Sequence, residues 1–171
     1  FNNPVPDHLY DNIWRLPTDH SVTLSVLFYQ PASACVEYQD SKGKMLQTKT
    51  VPFEAGKPQE IKLENLLPNE RYSYHLIINN NKETTSSFFR TGRAVSETFS
   101  FTITADSHLD ENADPAVYTQ TLLRAAADSA DFHINLGDTF MTDQYSDKYT
   151  DAYNQYLAQR YYFSLLKTPL F

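Results

Sequence analysis

Short runs of alternating apolar and polar residues fill the first ninety residues, and turn-forming residues separate them. In residues 21–29, for example, large apolar side chains alternate with polar or smaller ones. Similar runs occupy residues 34–38, 47–53, 60–63, 72–78 and 85–90. An earlier buried strand is expected to begin at Trp14 and Leu16. Six or seven short strands at this spacing predict an antiparallel β-sandwich.

A different order of elements follows. Alternation resumes at residues 98–105, where the predicted apolar face consists of Phe99, Phe101, Ile103 and Ala105. Asp114 and Pro115 are typical of a helix N-cap and first position, and the helical pattern lasts to about residue 128. A second extended run covers residues 132–136. Strand, helix and strand within about 30 residues predict a βαβ unit, whose two strands are parallel.

A second helix is expected to start near residue 146 or 147, after a loop at 139–145 that would lie over the strand ends. Its predicted buried stripe is Tyr149, Ala152, Tyr153, Tyr156, Leu157, Phe163 and Leu166. Thr168 and Pro169 are expected to end it, since proline cannot continue a helix. Residues 170–171 have the pattern of the start of a third strand.

The change of pattern predicts a domain boundary near residues 94–97. We expect a β-sandwich at residues 1–94 and the first part of an α/β domain at residues 95–171. The distribution of charged residues also changes near this boundary. Residues 1–95 carry ten acidic and ten basic side chains, whereas residues 96–171 carry eleven acidic and four basic ones.

Composition limits the function classes further. A net charge of −7 disfavours nucleic-acid binding through a basic surface. No apolar run approaches the roughly 20 residues of a membrane-spanning helix. The single cysteine, Cys35, excludes an internal disulfide but leaves the compartment open.

The candidate chemistry lies where the two α/β strands end. Asp106 and His108 follow the first strand, and Asp138 follows the second, after Gly137. Parallel strands of a βαβ unit end at the same edge of a sheet, so these side chains are expected to converge. Asp, His and Asp form a metal-ligand set that suits iron, manganese or zinc better than calcium. Gly137 is expected to let the backbone come close beside the site.

Structural explanations compete with a metal site on these residues alone. Asp106 could cap a helix, His108 could be an ordinary surface residue, and Asp138 could cap the next turn. The residues by themselves leave these alternatives as open as metal binding. Asp110 and Asp143 are further candidates to line the site.

The same residues resemble a known family. Asp106-Ser107-His108 and Gly137-Asp138 resemble the Asp-x-His and Gly-Asp motifs of calcineurin-like metallophosphoesterases. Residues 63–72 resemble the tyrosine corner of fibronectin type III-like domains, with Tyr72 as the corner residue. Together with the Phe-Arg-Thr segment at 89–91, the sandwich resembles the amino-terminal domain of purple acid phosphatases.

The resemblance implies a fold and a function. The fold would be an all-β, fibronectin type III-like sandwich followed by the first βαβα part of an α/β metallophosphoesterase domain. Asp106 and His108 would bind the first of two divalent or trivalent metal ions, and Asp138 would bridge both. The activity would be hydrolysis of a phosphoester, such as a phosphorylated small molecule, by metal-activated water. A location outside the cytoplasm is implied as well.

The chain departs from the family pattern in two ways. Met141 stands where purple acid phosphatases have a ligand tyrosine. The later Asn-His and Gly-His-x-His motifs, which supply the second metal's ligands and an assisting histidine, do not occur in these 171 residues. The resemblance therefore implies that the missing carboxy-terminal half of the same protein is a partner. We expect little turnover and no tight metal binding from these residues alone.

A non-enzymatic function is the competing interpretation. The chain would then be a β-sandwich module for adhesion or binding, with a degenerate α/β half. A haloacid-type phosphatase is disfavoured, because that chemistry needs Asp-x-Asp and the second position here is His108.

Overall fold

The computed structural model describes residues 5–109, 113–139 and 152–171. Within these ranges the chain forms eleven strands and two helices. In chain order they are β1 (Tyr10–Arg15), β2 (Val22–Phe28), β3 (Ala32–Gln39), β4 (Met45–Gln47), β5 (Val51–Phe53), β6 (Gln59–Leu63), β7 (Arg71–Ile78), β8 (Asn81–Lys82), β9 (Ser87–Arg90), β10 (Phe101–Thr104), α1 (Pro115–Ala127), β11 (Phe132–Asn135) and α2 (Ala152–Ser164).

Strands β1 to β9 form the predicted antiparallel sandwich. One sheet has the order β1-β2-β6, and the second is centred on β3 and β7, with β4, β5, β8 and β9 at its sides. Apolar side chains from both sheets meet in one core, including Leu24, Val36 and Leu76. The fold class predicted from the sequence, a β-sandwich followed by a small α/β part, is confirmed.

The tyrosine corner is present in the sandwich. Tyr72 is buried at the start of β7, and its hydroxyl oxygen accepts a hydrogen bond of 2.9 Å from the backbone N–H of Leu67. The ring stacks on Phe89 of the neighbouring strand β9, at 5.1 Å between centroids. The corner therefore ties the loop before β7 to the core.

Two local predictions in the sandwich were wrong. Residues 47–53 contain the last residue of β4 and all of β5 rather than one strand, because the Thr48 hydroxyl accepts a hydrogen bond from the Val36 N–H and interrupts the ladder. Leu16 is exposed rather than buried, since β1 ends at Arg15 and the backbone of Leu16 turns into the left-handed region, with φ of 48°.

The predicted βαβ unit is also present. Strands β10 and β11 pair in parallel, with Phe101 opposite Phe132 and Thr104 opposite Asn135. Helix α1 begins as expected, because the Asp114 carboxylate accepts hydrogen bonds from the backbone N–H groups of residues 116 and 117. Both strands are shorter than the predicted runs.

The apolar face predicted for the first α/β strand is exposed to solvent. Phe99, Phe101 and Ile103 are 57%, 46% and 51% exposed. The polar face of β10 is better covered, because Thr102 and Thr104 contact the fully buried His133 of β11. The predicted alternation is present in β10, but its better-covered face is the polar one.

Residues 170–171 continue the sheet, as their pattern predicted. Leu170 forms parallel bridges with His133 of β11 on one side and with Arg15 of β1 on the other. Its N–H donates to the Trp14 carbonyl at 2.7 Å. The first sandwich sheet and the β10-β11 pair are thereby joined through Leu170. The predicted domain boundary near residues 94–97 stays a prediction.

Helix α2 buries mostly residues outside the predicted stripe, although Leu166, a member of the stripe that follows the helix, is buried as predicted. Its most buried residues are Gln155, Ala158, Gln159, Arg160 and Tyr162, whereas Tyr153 is 51% exposed. The helix lies between the sandwich and α1, and both neighbours offer polar partners to its buried side chains. The predicted start of this helix and Tyr149 lie outside the described residues. Neither described helix is long and apolar enough to cross a membrane.

Helix α2 contacts the sandwich at Ser25 of β2, a strand that is buried along its whole length. Arg160 donates hydrogen bonds to the hydroxyl and carbonyl oxygens of Ser25 at 3.2–3.3 Å. Nearby, the fully buried Asp11 accepts hydrogen bonds from Tyr29 at 2.7 Å and contacts His8 at 2.8 Å. Burial raises the pKa of Asp11, although the contacts with Tyr29 and His8 oppose this effect.

Candidate metal centre

Two loops that follow β10 and β11 run side by side and carry the candidate ligands. The N–H of Asp106 donates to the Gly137 carbonyl, and the N–H of His108 donates to the Asp138 carbonyl, both at 3.1 Å. A further bond of 3.1 Å joins the Leu109 N–H to the carbonyl of residue 139. The parallel pairing of the strands thus continues through the loops and sets the spacing of the candidate ligands.

All three candidate ligands have unusual backbone conformations. The φ angles are 56° at Asp106, 40° at His108 and 49° at Asp138. Such left-handed conformations are uncommon for residues other than glycine, and they cluster at functional sites where the surroundings enforce them. Eight other non-glycine residues of the described chain also have positive φ angles, so these three define the direction of the candidate ligands but do not by themselves indicate a function.

Gly137 precedes Asp138 and has a φ of 98°. Only glycine adopts this conformation readily. Among the described residues, no atom lies within 4 Å of the position that a Cβ atom would take. The positive φ angle therefore accounts for glycine here, and the expected close approach of the backbone beside the site stays a prediction.

The three candidate side chains converge. One ligand atom from each of Asp106, His108 and Asp138 can be chosen so that all lie within 4.8 Å of one another. The Nε2 atom of His108 lies 3.5 Å from a carboxylate oxygen of Asp106. The side chains of Asp106 and His108 remain 64% and 40% exposed, so the cluster is open to ligands from outside.

His108 provides a test of whether the site fits a metal ion. Its Nε2 atom is inaccessible to solvent and has no hydrogen-bond partner among the described residues. A buried nitrogen that makes no hydrogen bond is costly in free energy, and the Asp106 carboxylate oxygen at 3.5 Å does not provide one, whereas coordination to a cation would satisfy it. Two carboxylates and one imidazole are also the donor set that iron, manganese and zinc accept. The residues present therefore fit a metal ion.

Side chains from both helices support the first loop. The Ser107 hydroxyl lies 3.3 Å from the carbonyl of residue 139 and 3.3 Å from the Gln159 Oε1 atom of α2. The other side of that amide donates to the Tyr118 hydroxyl of α1 at 2.9 Å. Sequence reasoning missed this network. The only sequence signal for this network was the presence of two glutamines, Gln155 and Gln159, in a helix whose other residues are largely aromatic.

Asn135 shapes the second loop. Its role was also not predicted from the sequence, because it depends on contacts formed only in the folded chain. Its side-chain oxygen accepts a hydrogen bond of 2.9 Å from the Gly137 N–H, and its amide group donates to the Thr104 hydroxyl at 3.2 Å. Asparagine favours such turns because its side chain replaces a backbone partner. The residue thus links the end of β10 to the turn that positions Asp138.

Asp110, Asp143 and Met141 lie outside the described residues, as does the predicted loop beyond residue 139. The prediction that Asp110 and Asp143 line the site stays a prediction.

Comparisons with known proteins add the following findings. No protein-family model matches the chain, and no curated protein matches it. Among solved structures, the structure of PhoD matches 97% of this chain with 14% identity and a TM-score of 0.65. The sensor domain of the anti-sigma factor RsgI4 in Pseudobacteroides cellulosolvens matches 54% of the chain with 11% identity and a TM-score of 0.43. That match covers 82% of the sensor domain.

The fibronectin type III domain of the human collagen alpha-1(XX) chain matches 57% of this chain and 93% of its own length, with 14% identity and a TM-score of 0.41. The PhoD match shows that the sandwich and the α/β part together have the fold of part of PhoD. The present chain spans only 39% of the PhoD chain that it matches.

Proposed function

We propose that the chain is part of a metal-dependent phosphoester hydrolase and that Asp106, His108 and Asp138 are ligands of its dinuclear metal centre. One observation carries the proposal, namely the convergence of these three side chains within 4.8 Å at the carboxyl ends of two parallel strands. The unsatisfied Nε2 atom of His108 and the PhoD-like fold support it. The Asp-x-His and Gly-Asp motifs provide the link to phosphoester chemistry.

Each residue would have a distinct task. Asp106 and His108 would hold one metal ion, and Asp138 would bridge it to a second. Such a pair of ions, of iron, manganese or zinc, polarises a phosphoryl group and activates water for attack. Ser107 would keep Asp106 and His108 in register through its contact with Gln159. The left-handed turns would fix the directions of the three ligands before a metal binds.

The remaining ligands would come from further polypeptide, which we propose to be the carboxy-terminal half of the same protein. The uncovered apolar face of Phe99, Phe101 and Ile103 supports this proposal, because an exposed apolar patch marks an interaction surface. A covering layer at this face would lie next to the strand ends that carry the candidate ligands. A location outside the cytoplasm is proposed on the family resemblance alone, and fractionation of the native protein would test it.

Metal binding by purified protein tests the three ligands directly. Calorimetric titration with Mn²⁺ or Zn²⁺ should detect weak binding, which Asp138→Asn and His108→Ala should weaken about tenfold or more. Matched controls are Asp128→Asn, at the exposed end of α1, and His20→Ala, which is 64% exposed. Equal affinities in the site variants and the control variants would refute the assignment of ligands.

Activity assays test the wider proposal. The 171 residues alone should hydrolyse aryl phosphate mono- and diesters barely above the rate with free metal. A longer form that supplies Asn and His ligands should be active, and Asp138→Asn should abolish that activity. High activity of the 171 residues alone with manganese or iron would disprove the need for further ligands. An inactive longer form that also binds no metal would favour the binding-module alternative.

A further inference from the structure

A cleft with a volume of about 460 Å³ separates the sandwich from the α/β part, on the side away from the candidate metal centre. Strand β9 and the start of β7 form one wall, and the turn between α1 and β11 forms the other with residues 166–169. The residues that matter to its chemistry are Arg71, Phe88, Arg90, Asp131, Lys167 and Pro169. We call this the basic cleft.

The basic cleft concentrates positive charge in an acidic protein. Arg71, Arg90 and Lys167 line it, and none of them forms a salt bridge with a carboxylate in the part of the chain that the structure describes. Asp131 is the only carboxylate among the lining residues, and Arg93 already neutralises it through two contacts of 2.9 Å. The cleft is therefore basic on balance, although Asp131 also interacts with Arg90, Glu83 interacts with Lys167, and the chain has a net charge of −7.

Two of these charges are held close together by the sheet. Arg71 of β7 and Arg90 of β9 are direct cross-strand partners in the antiparallel register. Like charges in such positions are destabilising, so a structural role alone does not explain the pair. The Arg71 guanidinium also lies 3.9 Å from the centroid of the Phe88 ring, which fixes its position. The two guanidinium groups are therefore placed so that one anionic group could contact both.

The remaining lining residues are mainly apolar and include Phe88, Phe89, Leu166 and Pro169. Phe88 is 45% exposed, which leaves part of its ring open to solvent. Positive side chains beside an open aromatic surface are suited to an anion with a flat apolar body.

The basic cleft is distinct from the candidate metal centre. Asp131, at the cleft, directly precedes β11, whereas Asp138 follows the strand. A four-residue strand is roughly 13 Å long, so one ligand of small size cannot occupy both places.

We propose that the basic cleft binds a small organic anion, with a phosphate or carboxylate group held by Arg71, Arg90 and Lys167 and an apolar body placed against Phe88. This inference does not depend on the proposed hydrolase function. Phosphate esters and carboxylates that carry an apolar ring both have the two required parts, an anionic group and an apolar body, so both could occupy the cleft.

The test is a titration of the isotopically labelled chain, followed by amide chemical shifts, after a chelating resin has removed metal ions. The probes are phenyl phosphate, phthalate, inorganic phosphate and neutral benzyl alcohol. Shifts are expected at Phe88, Arg90 and Asp131, with the aromatic anions binding more tightly than inorganic phosphate and benzyl alcohol not binding. The ratio between phenyl phosphate and phthalate identifies the preferred anionic group.

Arg90→Gln is the decisive variant, and Lys49→Gln, at an exposed position elsewhere, is its matched control for net charge. Arg90→Gln should weaken binding of phenyl phosphate about tenfold, and Lys49→Gln should change it less than twofold. Without ligand, Arg90→Gln should unfold at the same or a higher denaturant concentration, because it removes repulsion from Arg71. Absent shifts at the cleft, or equal affinities of the two variants, would overturn the proposal.

Discussion

The two parts of the molecule use the same alternation of apolar and polar residues with opposite results. In the sandwich, the apolar faces of both sheets meet, and residues such as Leu24, Ile61 and Leu76 are almost inaccessible to solvent. In the α/β part, the apolar side of β10 is the exposed one, and Ile103 remains 51% exposed. The sandwich completes its core with its own strands, whereas the β10-β11 pair leaves one apolar face uncovered.

The difference between the two parts shows which structural features an alternating pattern can predict. Alternation indicates that two faces of a strand differ in polarity, but it does not say which partner covers the apolar face. In the sandwich the partner sheet is encoded within the same ninety residues. On β10 the polar face contacts the buried His133 instead, because Thr102 and Thr104 supply hydrogen-bond partners for its ring.

The largest expected effect is a difference in stability between the same substitution, isoleucine to alanine, in the sandwich and on β10. Ile61→Ala in the sandwich removes a side chain that is 3% exposed, and it should lower the free energy of unfolding by about 2–5 kcal/mol. Ile103→Ala on the uncovered face should lower it by less than about 0.5 kcal/mol. Urea unfolding of both variants measures these values.

Equal losses in the free energy of unfolding for Ile61→Ala and Ile103→Ala would contradict the difference between the two parts. The face of β10 would then be covered in solution, and light scattering would show whether a second copy of the chain covers it. Retained solubility and a smaller loss for Ile103→Ala agree with an open face.

The next effect concerns the contact that joins α2 to the sandwich. Arg160→Met keeps the length of the side chain but leaves Ser25 without its charged donor, and it removes the cation near the buried Asp11. We expect a loss of about 2 kcal/mol. Hydrogen exchange should accelerate in α2 more than in the sandwich core. Arg124→Met, on the exposed side of α1, is the control and should have little effect.

The sequence predicted the sandwich and the position of the candidate site because both depend on local signals. Strand alternation, the Tyr72 corner and the Asp114 cap each act within a few residues. The convergence of Asp106, His108 and Asp138 was predictable for a related reason. Parallel strands must end at one edge, so their neighbouring residues must meet there.

Features that depend on tertiary partners were not predictable in the same way. Helix α2 buries Gln159 and Arg160 because α1 and the sandwich provide Tyr118 and Ser25 as partners. A periodicity argument assumes an apolar neighbour, and it therefore selected the aromatic stripe. The support that Ser107 gives to the site was missed because it depends on this same placement of the helix.

A smaller effect tests the corner that stabilises the sandwich independently of the α/β part. Tyr72→Phe leaves the Leu67 N–H without its acceptor and should cost about 1–2 kcal/mol. The control is Tyr38→Phe, since the Tyr38 hydroxyl has no hydrogen-bond partner within the described ranges, although its ring also lies in the core. Equal costs for the two variants would show that the hydrogen bond of the corner contributes nothing.

The smallest effect is a pH dependence that arises in the α/β part. Burial lowers the pKa of His133 below its usual value of about 6.5, so the folded chain keeps the ring neutral to a lower pH than the unfolded chain does. As the pH falls below 6.5, the unfolded chain binds a proton that the folded chain does not, and stability decreases. The slope of stability against pH that His133 contributes cannot exceed about 1.4 kcal/mol per pH unit.

His133→Gln should reduce this slope between pH 7 and pH 5, measured by urea unfolding, whereas the exposed-site control His20→Gln should preserve it. An unchanged slope in His133→Gln would mean that protonation of this ring is not what makes the α/β part sensitive to acid.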